Sequence, residues 1–433
     1  MDMRKVLAVA FAAGLACSVW AGDGIPMGSA VFYPSIEAVY THTDNLYLQD
    51  KSMPFGNVSG HFWAIRPAVG FEFPFQQSYF RVDLGYQYQD YSNNYNLATH
   101  DTYTADIKGV FKLGSTTTLT LQDNFIRGVQ EVNKFDPGGE QYYSNTPFNN
   151  NNLRVGLDFS VSKLNTIGVY GLYNKVHFTD VNTTYQTPFF DYHQAGGGLV
   201  WKYSFRPNAV WLLDGRYLKN TPDTQVWDYA LYTNVNGKKY DSVQVLTGVD
   251  GALGSRLTGF AKAGWSRLKF DNGFSNFNGF VADAGLTYSA TEFFQVQLDL
   301  NRMPYQSAYN VNNYYTTTGG ELALHHQLSR YVFWSAGYHY QENAYPDRTE
   351  MYPLGPMSPT TYEFLLTGGQ TRKDKINRAF AELGYHFSKQ LSLKANYQYE
   401  DRNSTIKYYD LTGIHRPYSY TENRIAVQAQ FGW

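Results

Sequence analysis

Apolar and polar residues alternate along almost the whole chain with a period of two, in runs of about ten residues. Phe294, Val296, Leu298 and Leu300 are separated by Gln295, Gln297, Asp299 and Asn301. Leu391, Leu393, Ala395, Tyr397 and Tyr399 are separated by Ser392, Lys394, Asn396 and Gln398. Leu153-Val155-Leu157-Phe159 and Val332-Trp334-Ala336-Tyr338-Tyr340 repeat the pattern. Successive strand side chains point to opposite faces, so each run is a β-strand with one apolar and one polar face. About ten residues is also the length a tilted strand needs to cross a bilayer.

Read in order, the runs give eighteen strands, at 31–41, 62–73, 78–90, 101–112, 117–127, 151–161, 166–178, 191–204, 208–219, 240–252, 257–270, 276–288, 292–302, 316–328, 331–343, 373–387, 390–402 and 419–433. Tight turns such as Leu113-Gly114-Ser115-Thr116, Ser162-Lys163-Leu164-Asn165, Ser329-Arg330 and Ser388-Lys389 alternate with longer loops, the longest over 344–372. Short turns on one side and long loops on the other predict an up-and-down antiparallel barrel in an outer membrane, with short periplasmic turns and long extracellular loops. The fold class is therefore all-β, and the barrel occupies 31–433.

Composition separates this reading from soluble β folds. The chain has 38 Tyr, 29 Phe and 8 Trp, 17% of the sequence, and charged residues are also only 17%. A propeller has shorter strands without the two-sided rhythm, and a sandwich has fewer. Neither accounts for the aromatic excess, whereas barrels carry aromatic girdles where the wall meets each headgroup layer. Tyr86, Tyr88 and Tyr91, Trp334, Tyr338 and Tyr340, and Tyr397 and Tyr399 are assigned to such girdles. The chain stops on Ile425, Val427, Ala429, Phe431 and Trp433, again alternating. That end resembles the signal that outer-membrane barrels present to the barrel assembly machinery, and the last strand must pair with the first to remove open edges.

The first residues read as an address. Arg4 and Lys5 precede the apolar run Val6 to Leu15, and Val19-Trp20-Ala21 offers a cleavage site after Ala21, so 1–21 is read as a secretory signal peptide. The run is short for a membrane anchor. Cys17, the one cysteine, is out of register for a lipoprotein site. Residues 22–30 are then a short periplasmic segment with no room for a plug. A formal charge of −2 gives no basic field for nucleic acid.

The same alternation assigns the lumen. Inward candidates are Arg81, Asp83, Asp106, Lys108, Arg154, Asp158, Asp214, Arg216, Asp283, Asp299, Glu321, Arg378, Glu382, Lys394 and Arg424. Their signs are mixed, which argues against a dedicated phosphate or cation pore. They serve either to hold the wall by cross-strand pairing or to line a weakly selective polar channel.

Catalysis has little support. No G-x-S-x-G, H-E-x-x-H or P-loop pattern occurs. His325 and His326 are adjacent in a strand and point to opposite faces. Gly196-Gly197-Gly198 lies inside a strand and reads as a bend or bulge. No cofactor or metal is implied. The outer loops, with Asn149 to Asn152, Tyr142-Tyr143, Tyr314-Tyr315 and Tyr408-Tyr409, are compatible with carbohydrate contact. The loop holding Asp136-Pro137-Gly138-Gly139-Glu140 could fold inward as a constriction.

Three N-terminal segments carry a family resemblance. Val39-Tyr40-Thr41-His42-Thr43-Asp44-Asn45-Leu46-Tyr47 is followed by Trp63-Ala64-Ile65-Arg66-Pro67-Ala68-Val69-Gly70-Phe71, then by Leu84-Gly85-Tyr86-Gln87-Tyr88-Gln89-Asp90-Tyr91. With Gln122-Asp123-Asn124-Phe125-Ile126-Arg127-Gly128, they resemble the "putative β-barrel porin" family found with bacterial exopolysaccharide operons. The resemblance implies an outer-membrane protein of a Gram-negative-type bacterium that helps move polysaccharide to the surface, partnered by a periplasmic polysaccharide export protein. A general or solute-specific diffusion porin, and a structural sleeve around a partner protein, are the alternatives.

Overall fold

The computed structural model describes residues 24–48, 50–51, 58–91, 100–129, 147–179, 191–223, 225–228, 233–271, 275–307, 312–348, 352–358, 361–366, 371–405, 407–409, 415–417 and 419–433. The signal-peptide reading of 1–21 falls outside them, as do Asp136 to Glu140 and Tyr142-Tyr143.

Eighteen antiparallel strands close into one barrel. They are β1 (Ala30–Thr43), β2 (Gly60–Phe75), β3 (Ser78–Tyr91), β4 (His100–Lys112), β5 (Thr117–Val129), β6 (Pro147–Ser160), β7 (Asn165–Phe178), β8 (Tyr192–Arg206) and β9 (Ala209–Pro222). They continue as β10 (Tyr240–Ala252), β11 (Leu257–Phe270), β12 (Phe277–Ser289), β13 (Phe294–Gln306), β14 (Tyr314–Gln327), β15 (Val332–Arg348), β16 (Thr371–His386), β17 (Leu391–Ser404) and β18 (Tyr420–Gly432). Each pairs with the next in sequence, and β18 pairs with β1 from Ser35↔Gly432 to Thr43↔Arg424. Closure leaves every strand paired on both sides, which a wall in hydrocarbon requires.

Two-sided alternation sets the register. Trp63, Ile65, Leu84, Leu199, Phe280, Leu322, Leu383 and Ile425 stand exposed on one face of the sheet. This is the lipid face, and its complement faces the lumen. Outward aromatics mark where the band ends. Tyr86 donates to Asp101 at 2.6 Å, Tyr217 to Asp241 at 2.7 Å, Trp265 to Asn278 at 2.6 Å, Tyr338 to Asn377 at 2.7 Å and Tyr397 to Asn423 at 2.7 Å. In all five the donor lies on an odd-numbered strand. Its acceptor on the following strand lies two residues beyond the donor's register partner, toward the long loops. The ring stays in the apolar band while its polar atom is satisfied at the water-facing edge. Tyr91 departs from the girdle assignment. It has the opposite parity, faces the lumen, and accepts from Gln89 at 2.8 Å.

The tight turns share a device. Ser162, Thr291, Ser329 and Ser388 each accept two backbone N–H groups from the residues two and three positions on. The hydroxyl thus fixes the turn. Gly114 in the β4–β5 turn takes φ of 94°, a left-handed conformation that glycine adopts without a Cβ clash.

The structure adds elements the alternation did not predict. Ile25–Met27 pairs with Ala30–Phe32 and occupies the β1 edge just past the end of β18, within the segment read as a short periplasmic stretch before the barrel. Gln225–Asp228 pairs with Thr233–Asn236, and Tyr352–Ser358, Thr361–Leu366, Lys407–Tyr409 and His415–Pro417 form a small separate sheet, so the long loops carry strands of their own. Asn149 to Asn152 and Tyr314-Tyr315, read as loop residues, belong to β6 and β14. The glycine run 196–198 is not a bulge, since β8 keeps unbroken register with both neighbours there.

A charge-compensated lumen as the candidate functional site

All fifteen charged candidates have lumen parity in the register. They do not form one cluster. One group lies in a recess of about 250 Å³ on the inner wall of β5 to β9. There the Arg154 guanidinium lies over the Tyr170 ring at 3.8 Å, and Tyr170 donates to Asp214 at 2.6 Å. Lys202 pairs with Asp158 at 2.8 Å, and Arg216 completes the lining. Gly198 is the register partner of Tyr170, and a Cβ at Gly198 would come within 2.5 Å of the Tyr170 hydroxyl. Gly198 therefore lets the tyrosine lie flat against the wall, leaving room for the recess.

A second group lines a recess of about 200 Å³ at the periplasmic end, beside the β18–β1 seam. Arg81 holds Asp83 at 2.8 Å and Glu72 at 3.3 Å, and Lys394 lies across the recess. Asp106 accepts from Asn124 at 2.7 Å, and Lys108 stands between Arg81 and Gln122 in the register.

A third group follows the seam toward the outside. Arg378 pairs with Glu400 at 2.7 Å, and Arg424 with Glu422 at 2.9 Å. Asp374, fully buried, takes both Arg372 and Arg402 at 2.7 Å. Tyr420 donates to Glu400 at 2.5 Å, and Thr43 to Glu422 at 2.7 Å. Of the remaining candidates Asp299 and Glu321 are register partners, while Asp283 and Glu382 lie apart from them. Asp299 accepts from Gln297 at 2.7 Å, Glu321 faces His339 at 3.5 Å, Asp283 is buried opposite Lys262, and Glu382 lies between Ser335 and Asn396 in the register.

Sequence reasoning missed the partners. Glu37, Arg66, Glu72, Lys202, Asp374, Arg372, Glu400, Arg402 and Glu422 all have lumen parity, so the same period of two could have found them. Arg66 reaches Glu37 at 2.5 Å.

Between the charges runs a belt of amides and hydroxyls. Gln87 donates to Gln89 at 2.8 Å, Gln194 to Tyr240 at 2.9 Å, Thr317 to Asn343 at 2.9 Å and Gln341 to Asn343 at 3.0 Å. Toward the long-loop end the lumen side of β10 to β14 is packed. Tyr240, Leu246, Leu268, Phe270, Phe277, Val281, Met303 and Tyr314 form a buried apolar cluster. Tyr240 and Phe270 lie 4.8 Å apart between centroids, and Phe277 and Tyr314 meet edge-on at 5.5 Å. Buried Lys238 donates to the Ser307 and Asn312 carbonyls above this cluster.

Among the described residues no three His, Cys, Asp or Glu side chains gather as a metal site. His177 meets Asp191 and His193 meets Asp223, each at 2.6 Å, on the outward side of the rim. His42 and His61 are register partners on the lipid face.

The C-terminal residues Ile425, Val427 and Phe431 face outward and exposed, and the Trp433 ring meets Phe431 edge-on at 4.8 Å.

Among solved structures, the ferric enterobactin receptor of Pseudomonas aeruginosa shares 9% identity at a TM-score of 0.44, covering 93% of this chain and 81% of that one. The siderophore receptor PirA of Acinetobacter baumannii shares 8% identity at a TM-score of 0.45, covering 93% and 80%. The FrpB iron transporter of Neisseria meningitidis shares 10% at a TM-score of 0.42, covering 94% and 82%. At such identity no role passes from them to residues of this chain. Comparison with curated proteins finds no match. The family model described as "Putative beta-barrel porin 2" matches residues 20–415. The closed eighteen-stranded wall agrees with that description, and the chain belongs to this family of porin-like outer-membrane barrels.

Proposed function

We propose that this barrel exports an exopolysaccharide across the outer membrane and rests with its outer end shut. The observation that carries this reading is the contrast along the lumen. The wall presents amides, hydroxyls and charges of both signs, many of them paired, and toward its outer end the β10 to β14 side carries the buried apolar cluster around Phe270, Phe277 and Met303. A neutral polar wall suits a polymer of hydroxyls, which exchanges hydrogen bonds with amides without being held by fixed charge. The recess lined by Arg154, Asp158, Lys202 and Arg216 gives polar edges of the kind that hydrogen-bond sugar hydroxyls. No chemical step is assigned to the chain. A periplasmic export protein would deliver the polymer and open the outer end, and the β18 residues Ile425, Val427, Ala429, Phe431 and Trp433 would guide insertion by the barrel assembly machinery.

Conductance of the purified chain in a planar bilayer tests the reading. The export reading expects little conductance at rest. Steady open channels would instead favour the diffusion porin. Stable co-purification of a protein threaded through the lumen would favour the sleeve.

A further inference from the structure

The outer boundary of the lipid face is not uniform around the barrel. On β5 to β13 it carries Arg127, Lys175, Lys219, Arg267, Lys269 and Arg302, all exposed. On their strands these lie just loopward of the apolar band, after Phe125, Tyr173, Tyr217, Trp265 and Leu300. The first five make no ion pair among the described residues, and Arg302 only donates to Thr318 at 2.7 Å. Lys219 and Lys269 flank Asp241 in one register row, but Asp241 already accepts from Tyr217. Asp123 is the other outward acid on these strands, and it lies below the boundary; Asp191, Asp223 and Asp271, just loopward, are engaged by His177, His193 and Lys239. On the opposite arc the same level carries Lys373 and Lys375 beside Glu342, outnumbered by acids: Asp101 with Tyr86, Asp44 with Asn423, and Asp401 with Asn377 and Asn403.

From this we infer that the β5–β13 arc binds the phosphate groups of an anionic glycolipid in the outer leaflet. The cations sit where an acylated lipid places its headgroup phosphates, directly above an apolar surface that takes the acyl chains. Unpaired exposed cations at a membrane surface attract anionic headgroups, and the attraction is lost within a Debye length. Charge complementarity, the level of the cations and the apolar face beneath them all select a lipid phosphate as the occupant. The arc gives the barrel one preferred face for ordered phosphorylated lipid. The acidic arc would repel it.

Binding of the full chain to phosphatidylcholine vesicles doped with bisphosphorylated lipid A tests this. The wild-type chain should bind the doped vesicles, and added salt should weaken binding. K219Q/R267Q/K269Q should weaken it about tenfold or more. K219R/K269R should bind like wild type, and K375Q on the opposite arc should leave affinity unchanged. All four sites are exposed, so a folded barrel is expected and is checked by heat-modifiable gel mobility. Equal affinity of the triple glutamine variant and wild type would overturn the inference. So would equal binding to undoped phosphatidylcholine, or full competition by inorganic phosphate at the lipid A concentration, which would mean a free-phosphate site.

Discussion

The Tyr397 hydroxyl donates to Asn423 Oδ1 at 2.7 Å, from β17 to a residue two positions beyond its register partner Ile425. The ring is 44% exposed on the lipid face while its polar atom is satisfied. The four equivalent pairs place the water-facing edge of the apolar band at the same point in the pattern around the barrel. Tyr397→Phe and Asn423→Ala should each cost about 0.5–1.5 kcal/mol, and the double variant should cost less than the sum. Denaturant unfolding in lipid vesicles measures all three.

Depth should set the cost of charge on the outer face. Leu199 is 63% exposed in mid-band, and Ala195 lies four residues nearer the outer edge, in register with Tyr173 and Lys219. Leu199→Arg should destabilise the inserted barrel by about 2–4 kcal/mol, and Ala195→Arg by about 0–1 kcal/mol. The same vesicle unfolding assay separates them.

Asp123 presents an outward carboxylate between Ile107 and Leu153, and its Oδ1 is shielded without a hydrogen-bond partner. Lipid cannot satisfy that atom. Asp123→Leu should therefore stabilise the barrel by about 1 kcal/mol, less than the cost of a buried Lys or Arg at that depth. A lower unfolding midpoint for the variant would show that Asp123 has a partner.

The strands that cross the bilayer were legible because each must be apolar on one face and polar on the other. The eighteen predicted segments correspond one to one with β1 to β18. The pattern faded where strands rise above the bilayer and both faces are wet. Asn149 and Asn150 alternate nothing, so they fell outside the predicted 151–161 segment although they belong to β6. Which lumen charges pair with which was hidden for another reason. Alternation fixes which face Arg378 and Asp158 occupy, but not the register that brings them to Glu400 and Lys202. Gly198 was misread because its role lies in the ring of Tyr170 on the next strand, not in its own backbone.

Asp374 holds two guanidiniums in a site where its own side chain and that of Arg402 have no exposed surface and that of Arg372 is 3% exposed. Asp374→Ala would leave Arg372 and Arg402 buried without that counter-charge and should cost about 3–5 kcal/mol. Simultaneous replacement of the three by apolar residues of similar volume should cost far less. Unfolding midpoints of the single and triple variants check this.

The export reading is tested most directly by surface polysaccharide in a strain lacking this chain, complemented with the wild-type gene and with Arg154→Ala/Tyr170→Ala. The account predicts loss of surface polymer on deletion, full recovery with wild type, and partial recovery with the recess variant at equal barrel abundance. Unchanged surface polysaccharide in the deletion strain would contradict it and leave solute diffusion as the function of the lumen.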